Sequence, residues 1–386
     1  MIARMLSKVI DLIEVGVIPL PGILSEERRA AFRSREWELS PVAEAPVWFH
    51  AASLGELEML MPLIEDFGSD GTGFCVSCFS KSGMSGVHKL RGRAGYAGFS
   101  PRESEWEHAF RRFGTRVLVV AKYDLWPGAL IAAERLGIRV VVVNAQARSS
   151  LGWIARIFPR RSLPDLVFFT DRPESVTALR RWFPDAQVEN GSDPRYERVA
   201  RRIGGVPEAR VRMWRERILS LPGPRGLVGS AWPADLRELL KSSGGIPGSL
   251  VVVPHDLSPA NLSRIRSDLE RALPGRHLLV DEMGVLVELY PVADWAFVGG
   301  GFHEGIHSTI EPAVAGLPVI CGPRNSDRFP EVAELIQAGI LTVCRSSDDL
   351  VTWLKGEPWN RERSLPFLEQ KRQAYARLLE SCRSIR

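Results

Sequence analysis

The chain has 386 residues, 45% of them hydrophobic and 25% charged, a soluble globular composition in a chain too long for one ordinary core. Its net charge of +4 is a mild excess without blocks of like charge, and no nucleic-acid-binding signature stands out, so no nucleic acid is expected as a partner. The five cysteines are scattered, which argues against a disulfide framework and for a reducing compartment.

Residues 1–24 set themselves apart. Ile2, Met5, Leu6, Val9, Ile10 and Ile13 recur at helical spacing, while Arg4, Lys8, Asp11 and Glu14 interrupt the apolar run. The pattern predicts an amphipathic segment, neither a spanning helix nor a signal peptide. Such a helix either docks on the next domain or lies on a membrane surface, where Arg28, Arg29, Arg33 and Arg35 would meet anionic headgroups.

From residue 46 short β-rich runs alternate with helical stretches. Strands are expected at 47–50, 74–78, 117–121, 140–144 and 166–170, with clear helices at 128–136 and 173–182. After LPGPRG (221–226) a second series follows, at 227–230, 250–253, 277–280, 295–298, 318–321 and 340–343. The runs read as strands buried on both faces, hence parallel sheets covered by helices. The fold class is therefore α/β, with two facing Rossmann-like domains over 25–205 and 206–364. A closing helix at 365–386 is expected to pack back across the junction. In such a pair the ligand site is expected between the domains, at the carboxyl ends of the strands.

The residues just after each strand are the ones to weigh. In HAASLGE (50–56) a strand ends, small residues turn the chain, and Glu56 opens a helix, where an ionised carboxylate is favoured. A capping box of Ser53 with Glu56 is the plainer reading. In YDLWPG (123–128) Asp124 is either a site carboxylate or a helix cap, and Arg148 in NAQARS (144–149) is a weak anion-binding candidate. The second half offers Ser230, then Pro254 and His255, then Met283 and Gly284. VGGG (298–301) then enters a short helix expected at 309–315, and its bare N–H groups, with Gly300 and Gly301, suit a phosphate.

Two short motifs point elsewhere. Cys75 and Cys78 form a CxxC inside an apolar run with no second pair, which favours a buried strand over zinc or redox chemistry. HEGIH (303–307) matches the zinc-protease pattern HExxH, but glycines before and within it oppose the regular helix that motif needs.

Taken together, HAASLGE, YDLWPG, ENGSDPRYE (189–197), VVVPH (251–255), MGVLVELYPVADWAFVGGG (283–301) and HSTIEPAVAGLPVICGP (307–323) resemble the Kdo transferases in order and spacing. These are the 3-deoxy-D-manno-octulosonic acid transferases of lipopolysaccharide synthesis, and the resemblance spans about 25–340. It implies the GT-B fold and an inverting transfer of Kdo from CMP-Kdo to a lipid A precursor at the cytoplasmic face of the bacterial inner membrane. It places Glu56 as the base, Asp124 as a supporting acid and Arg195 as the nearest equivalent of a lysine. For CMP it implies Pro254 and His255, Met283 to Val285 (with Gly284), and Ser308, Thr309, Ile310 and Glu311, the last on the ribose. Ser53, Arg148, Ser230, Gly300, Gly301 and His307 are further substrate contacts. It implies no metal and no cofactor, the CMP-sugar being a substrate.

The sequence departs from the family pattern at Asp124 (a glutamate there), Arg195 (a lysine), His255 (an arginine), Val285 (a glutamate) and Ser308 (an asparagine). Two other readings follow. One is a silent or re-purposed paralogue that binds nucleotide or lipopolysaccharide intermediates. The other is a GT-B nucleotide-sugar epimerase.

Overall fold

The computed structural model describes residues 36–40, 44–191, 193–241, 243–356 and 361–384. The amphipathic segment expected at 1–24 and the basic stretch that follows it to residue 35 lie outside the described residues. No described helix is long and apolar enough to cross a membrane.

Two compact units make up the chain: the residues up to Glu197 together with Lys371–Arg386, and Arg198–Gln370. The division falls at 197/198, inside the helix Pro194–Gly204, rather than at 205/206. LPGPRG is not a linker. It is the entry turn of the second sheet, where the Ser249 hydroxyl donates to the Pro222 carbonyl at 2.7 Å. The last helix, Leu365–Arg383, changes unit at Lys371, and Tyr375 of that helix donates to Asp66 at 2.6 Å within the first unit.

The first unit holds seven strands: β1 Val47–Ala51, β2 Phe74–Cys78, β3 Tyr96–Phe99, β4 Val117–Ala121, β5 Arg139–Val143, β6 Leu166–Thr170 and β7 Gln187–Asn190. They pair in parallel in the order β3-β2-β1-β4-β5-β6-β7. The second unit holds β8 Arg225–Ala231, β9 Ser249–Pro254, β10 His277–Leu279, β11 Trp295–Val298, β12 Val319–Cys321 and β13 Leu341–Val343. These are parallel in the order β10-β9-β8-β11-β12-β13. Runs such as Val140 to Val143 belong in such strands, because β-branched side chains pack on a pleated surface covered on both faces. β3 and β7 are additions to the expected set. Both are sheet edges, and β7 reads QVEN with no fully buried residue, so it carries no apolar signal to find.

In both sheets the strand order reverses once, between β1 and β4 and between β8 and β11. At such a switch point the connections leave in opposite directions and open a crevice at the carboxyl ends. Eight helices bear on the site: α1 Leu54–Ser69, α2 Pro127–Leu136, α3 Pro194–Gly204, α4 Ala209–Leu219, α5 Pro233–Lys241, α6 Pro259–Ala272, α7 Ile310–Val314 and α8 Leu365–Arg383.

Cys75 and Cys78 lie in β2, and their side chains enter the cores on opposite faces of the sheet, so they cannot hold one metal ion together. All five cysteines are free and buried, and burial pushes the Cys344 thiol up to about 11 and those of Cys321 and Cys382 to about 12. A thiol reagent at pH 8 is expected to label none of the five in the native chain and all five in denaturant; rapid native labelling of one would contradict this burial.

Candidate active site

At the switch point of the first unit, Glu56 sits in the first turn of α1, after the end of β1, and is 5% exposed. Its Oε2 accepts the Ala52 N–H at 2.9 Å, and its Oε1 lies 3.7 Å from Lys122 Nζ. The Ser53 side chain makes no cap hydrogen bond, so the capping box is absent and Glu56 ties down the strand end one residue further back. Lys122 directly follows β4 with φ 60, a left-handed conformation that costs free energy in a non-glycine residue. The Val143 carbonyl accepts its N–H at 2.7 Å, and its own carbonyl accepts from Gln146 N–H at 3.2 Å. This bridge to the end of β5 helps to hold the turn that brings the ammonium to Glu56.

Asp124 is not a cap, since α2 starts after Trp126. Its Oδ2 lies 3.2 Å from Nε2 of His50, which is 1% exposed. A carboxylate there calls for an N–H on Nε2. In the neutral ring Nδ1 then accepts from the Ser77 hydroxyl at 2.9 Å, while Ser77 Oγ accepts the Trp48 indole N–H at 2.8 Å. A buried chain from Trp48 through Ser77 and His50 thus orients the Asp124 carboxylate.

Arg195 has a carboxylate partner beside it. Asp193 accepts its backbone N–H at 2.9 Å and its Nε–H at 2.8 Å, and also the Asn144 side-chain N–H at 3.1 Å. Asn144, with φ 52, is the residue after β5. Arg148 lies 4.9 Å over the Tyr123 ring.

In the second unit the glycine turn is tied to a buried acid. Asp235, in the first turn of α5, is 0% exposed. Its Oδ2 accepts from Trp232 N–H at 3.0 Å and Gly300 N–H at 2.7 Å, and its Oδ1 from Phe302 N–H at 3.1 Å. Gly300 has φ 92, and a Cβ on Gly301 would stand 2.5 Å from the Gly322 Cα, so neither position accepts a side chain.

The stretch 301–308 contains no helix, and the described residues hold no cluster fit for a metal ion. The HExxH histidines are built into an aromatic stack instead. His303 stacks on Trp232 (centroids 4.4 Å), Trp232 on His255 (4.6 Å), and His255 on His307 (4.7 Å). His307 Nε2 accepts the Trp232 indole N–H at 3.0 Å. Burial first, and then His255, push the His307 imidazole below its ordinary value, which suits that accepting role.

Glu311 lies in α7, a five-residue helix shorter than the 309–315 expected. Burial raises its carboxyl above the ordinary range, partly offset by Arg202 and Arg198. Arg202 donates to the Gly284 carbonyl and to Glu288 at 3.0 Å. Of the residues around them, Met283 is exposed, and Ser308 and His255 are too, whereas Val285, Thr309 and Ile310 are buried. Val285 packs into the core with Leu289 and Tyr290, so its side chain is no ligand contact. Thr309 Oγ1 is buried without a hydrogen-bond partner among the described residues.

Residues 25–168 match the family described as 3-deoxy-D-manno-octulosonic-acid transferase (kdotransferase). Curated 3-deoxy-D-manno-octulosonic acid transferases are similar over most of their length. That of Chlamydophila psittaci is 28% identical over 86% of this chain and 84% of its own. That of Bordetella pertussis is 26% identical over 87% and 88%. The chain belongs to the Kdo transferase family.

Solved structures speak for the fold alone. MurG of Acinetobacter baumannii superposes with a TM-score of 0.55 at 14% identity, covering 88% of this chain and 99% of that one. A UDP-GlcNAc 2-epimerase of Neisseria meningitidis bound to UDP-GlcNAc does so at 0.52 and 14% identity, covering 88% and 94%. The fold is GT-B. Because a transferase and an epimerase share it, the fold does not choose between them; the sequence relatives do, and they make this Kdo transferase family member a glycosyltransferase.

The structure gathers Glu56, Ser53 and Asp124 around one switch point, and Ser230, His255, Gly300, Gly301 and His307 around the other. Lys122, His50, Ser77, Trp232 and Asp235 were missed from sequence. A lysine just before YDLWPG and a lone aspartate in a helix carry no motif, and only the fold shows what they face.

Proposed function

We propose that this chain transfers Kdo, or a closely related acidic sugar, from a CMP-sugar to a lipid A precursor, with inversion at the anomeric carbon. The observation that supports it best is the setting of Glu56: a buried carboxylate at a sheet switch point, with one oxygen spent on Ala52 N–H and the other directed toward Lys122. Glu56 takes the proton of the acceptor hydroxyl as that oxygen attacks the anomeric carbon, a step that needs one base and no covalent intermediate. Lys122 and the Asp124 carboxylate, oriented through His50, support the charge that develops. Glu311 accepts from the ribose hydroxyls, the Met283–Gly284 turn meets the nucleoside, and Thr309 Oγ1 offers the donor phosphate an otherwise unused hydroxyl. A departing CMP carries one phosphate, and the reaction as proposed uses no metal ion.

A donor screen with a lipid A precursor tests this, reading CMP release and product mass together. Transfer of an acidic sugar from a CMP donor is the expected result. Release of free UDP, or CMP binding without any transfer, would overturn it.

The Glu311 role has a pH signature. A carboxyl raised by burial favours the protonated form in the fold, so this group's contribution to stability is complete at low pH and is lost as pH rises through its raised value. Ribose hydroxyls need the ionised form as acceptor. CMP affinity, measured by calorimetry, is therefore expected to fall on acidification from a pH above 4.5, and Glu311→Gln is expected to flatten that dependence. An unchanged profile in the variant would remove the ribose role.

We further place the chain at the cytoplasmic face of the inner membrane, held peripherally by residues 1–35. Co-sedimentation with anionic vesicles is expected to drop when those residues are deleted.

A further inference from the structure

The second sheet has two faces, and the proposed donor contacts occupy one. Leu227, Val251 and Ala296 point to the face covered by α4, with Val285 and Tyr290; Val228, Val252 and Phe297 point to the face covered by α5 and α6. On this other face, where α5 and α6 begin, lies a cavity of about 520 Å³ that no step above uses. That volume suits a small molecule. Trp232, Arg237, Asp256, Asn261, Arg264 and His303 are among its lining.

The charges there are unequally spent. Arg237 is exposed and makes no hydrogen bond or ion pair with any described residue. Arg264 gives one N–H to Asn261 Oδ1 at 2.6 Å. Asp256, the acid of the lining, already accepts from Ser258 N–H at 2.9 Å and Ser258 Oγ at 2.8 Å. Two guanidinium groups thus hold donors in reserve, and a guanidinium fork matches a phosphate in two bonds at once. The wall beside them is flat: His303 and Trp232 stack with an interplanar angle of 10°. His303 Nδ1 is buried without a hydrogen-bond partner.

We propose that this cavity is a second binding site, for a phosphorylated sugar. The phosphate is held by Arg237 and Arg264, the apolar face of the ring lies on the Trp232–His303 wall, and a sugar hydroxyl satisfies His303 Nδ1. The same chemistry is offered by a soluble sugar phosphate and by a phosphorylated glycolipid. The site goes beyond the transfer reaction and does not rest on it.

Calorimetry of the full chain with glucose 6-phosphate tests the soluble source. Co-sedimentation with vesicles carrying a phosphorylated glucosamine lipid, against phosphatidylcholine vesicles alone, tests the other. Saturable binding in either arm is expected, weakened at least about tenfold by Arg237→Ala with Arg264→Ala, since each charged hydrogen bond contributes roughly 1.5–3 kcal/mol. Both arginines are exposed, and circular dichroism checks that the variant is folded. Binding is expected to persist in Glu311→Ala. Absence of binding in both arms, indifference to the double substitution, or loss in Glu311→Ala would each overturn the proposal.

Discussion

Glu56→Gln is expected to lower sugar transfer by about 10²- to 10⁴-fold, the usual contribution of a positioned general base, with CMP affinity unchanged. The amide has nearly the shape of the carboxylate. Its oxygen still accepts the Ala52 N–H that Oε2 accepts at 2.9 Å, so the end of β1 and the start of α1 keep their geometry. What is lost is the capacity to take a proton, together with the charge beside Lys122 Nζ. Because Glu56 is buried in the first unit and the nucleotide contacts belong to the second, binding and turnover should separate. A variant with full turnover would remove Glu56 from the mechanism. A variant that loses CMP binding as well would make it structural.

Asp235→Ala is expected to destabilise the second unit by about 3 kcal/mol, as three backbone N–H groups lose their common acceptor. A buried donor left unpaired costs about 1–3 kcal/mol, and part of the gap is refilled where water reaches Trp232 N–H. Asp235→Asn keeps a carbonyl oxygen for one or two of the donors and should lose less. Two compact units need not unfold together, so the change is to be read from the transition that belongs to the second unit in urea. Gly300 and Phe302 bracket the glycine turn, so CMP affinity should fall in step with stability. An Ala variant of wild-type stability would show that the turn does not depend on this acid.

The residues divide according to how far their signal reaches. Glu56 was legible because a strand end, small residues and a helix start fall within seven positions. The central strands were legible because parallel strands covered on both faces must be apolar throughout. The edge strand β7 was not, since an edge keeps polar residues. Lys122 and Asp235 were illegible for another reason. Each acts on a group far away in sequence, and spacing along a chain says nothing about what a turn brings near.

The opposite error also occurred. Val285 stands inside a stretch whose neighbours are exposed, and a motif read as a string gives no inward or outward direction to its side chains. HEGIH carries the letters of a zinc site, but glycine conformations remove its helix, and stacking on Trp232 and His255 places its histidines elsewhere.

By itself, then, the sequence determined the two α/β halves, the family and the stretches that hold the base and the nucleotide contacts, because hydrophobic period and local turn chemistry are short-range properties. Only the tertiary structure decided the strand order that creates both switch points, the Lys122–Glu56 and His50–Asp124 pairs, and the buried acid beneath the glycine turn. Those depend on which strands lie side by side, a choice made by packing the whole sheet at once.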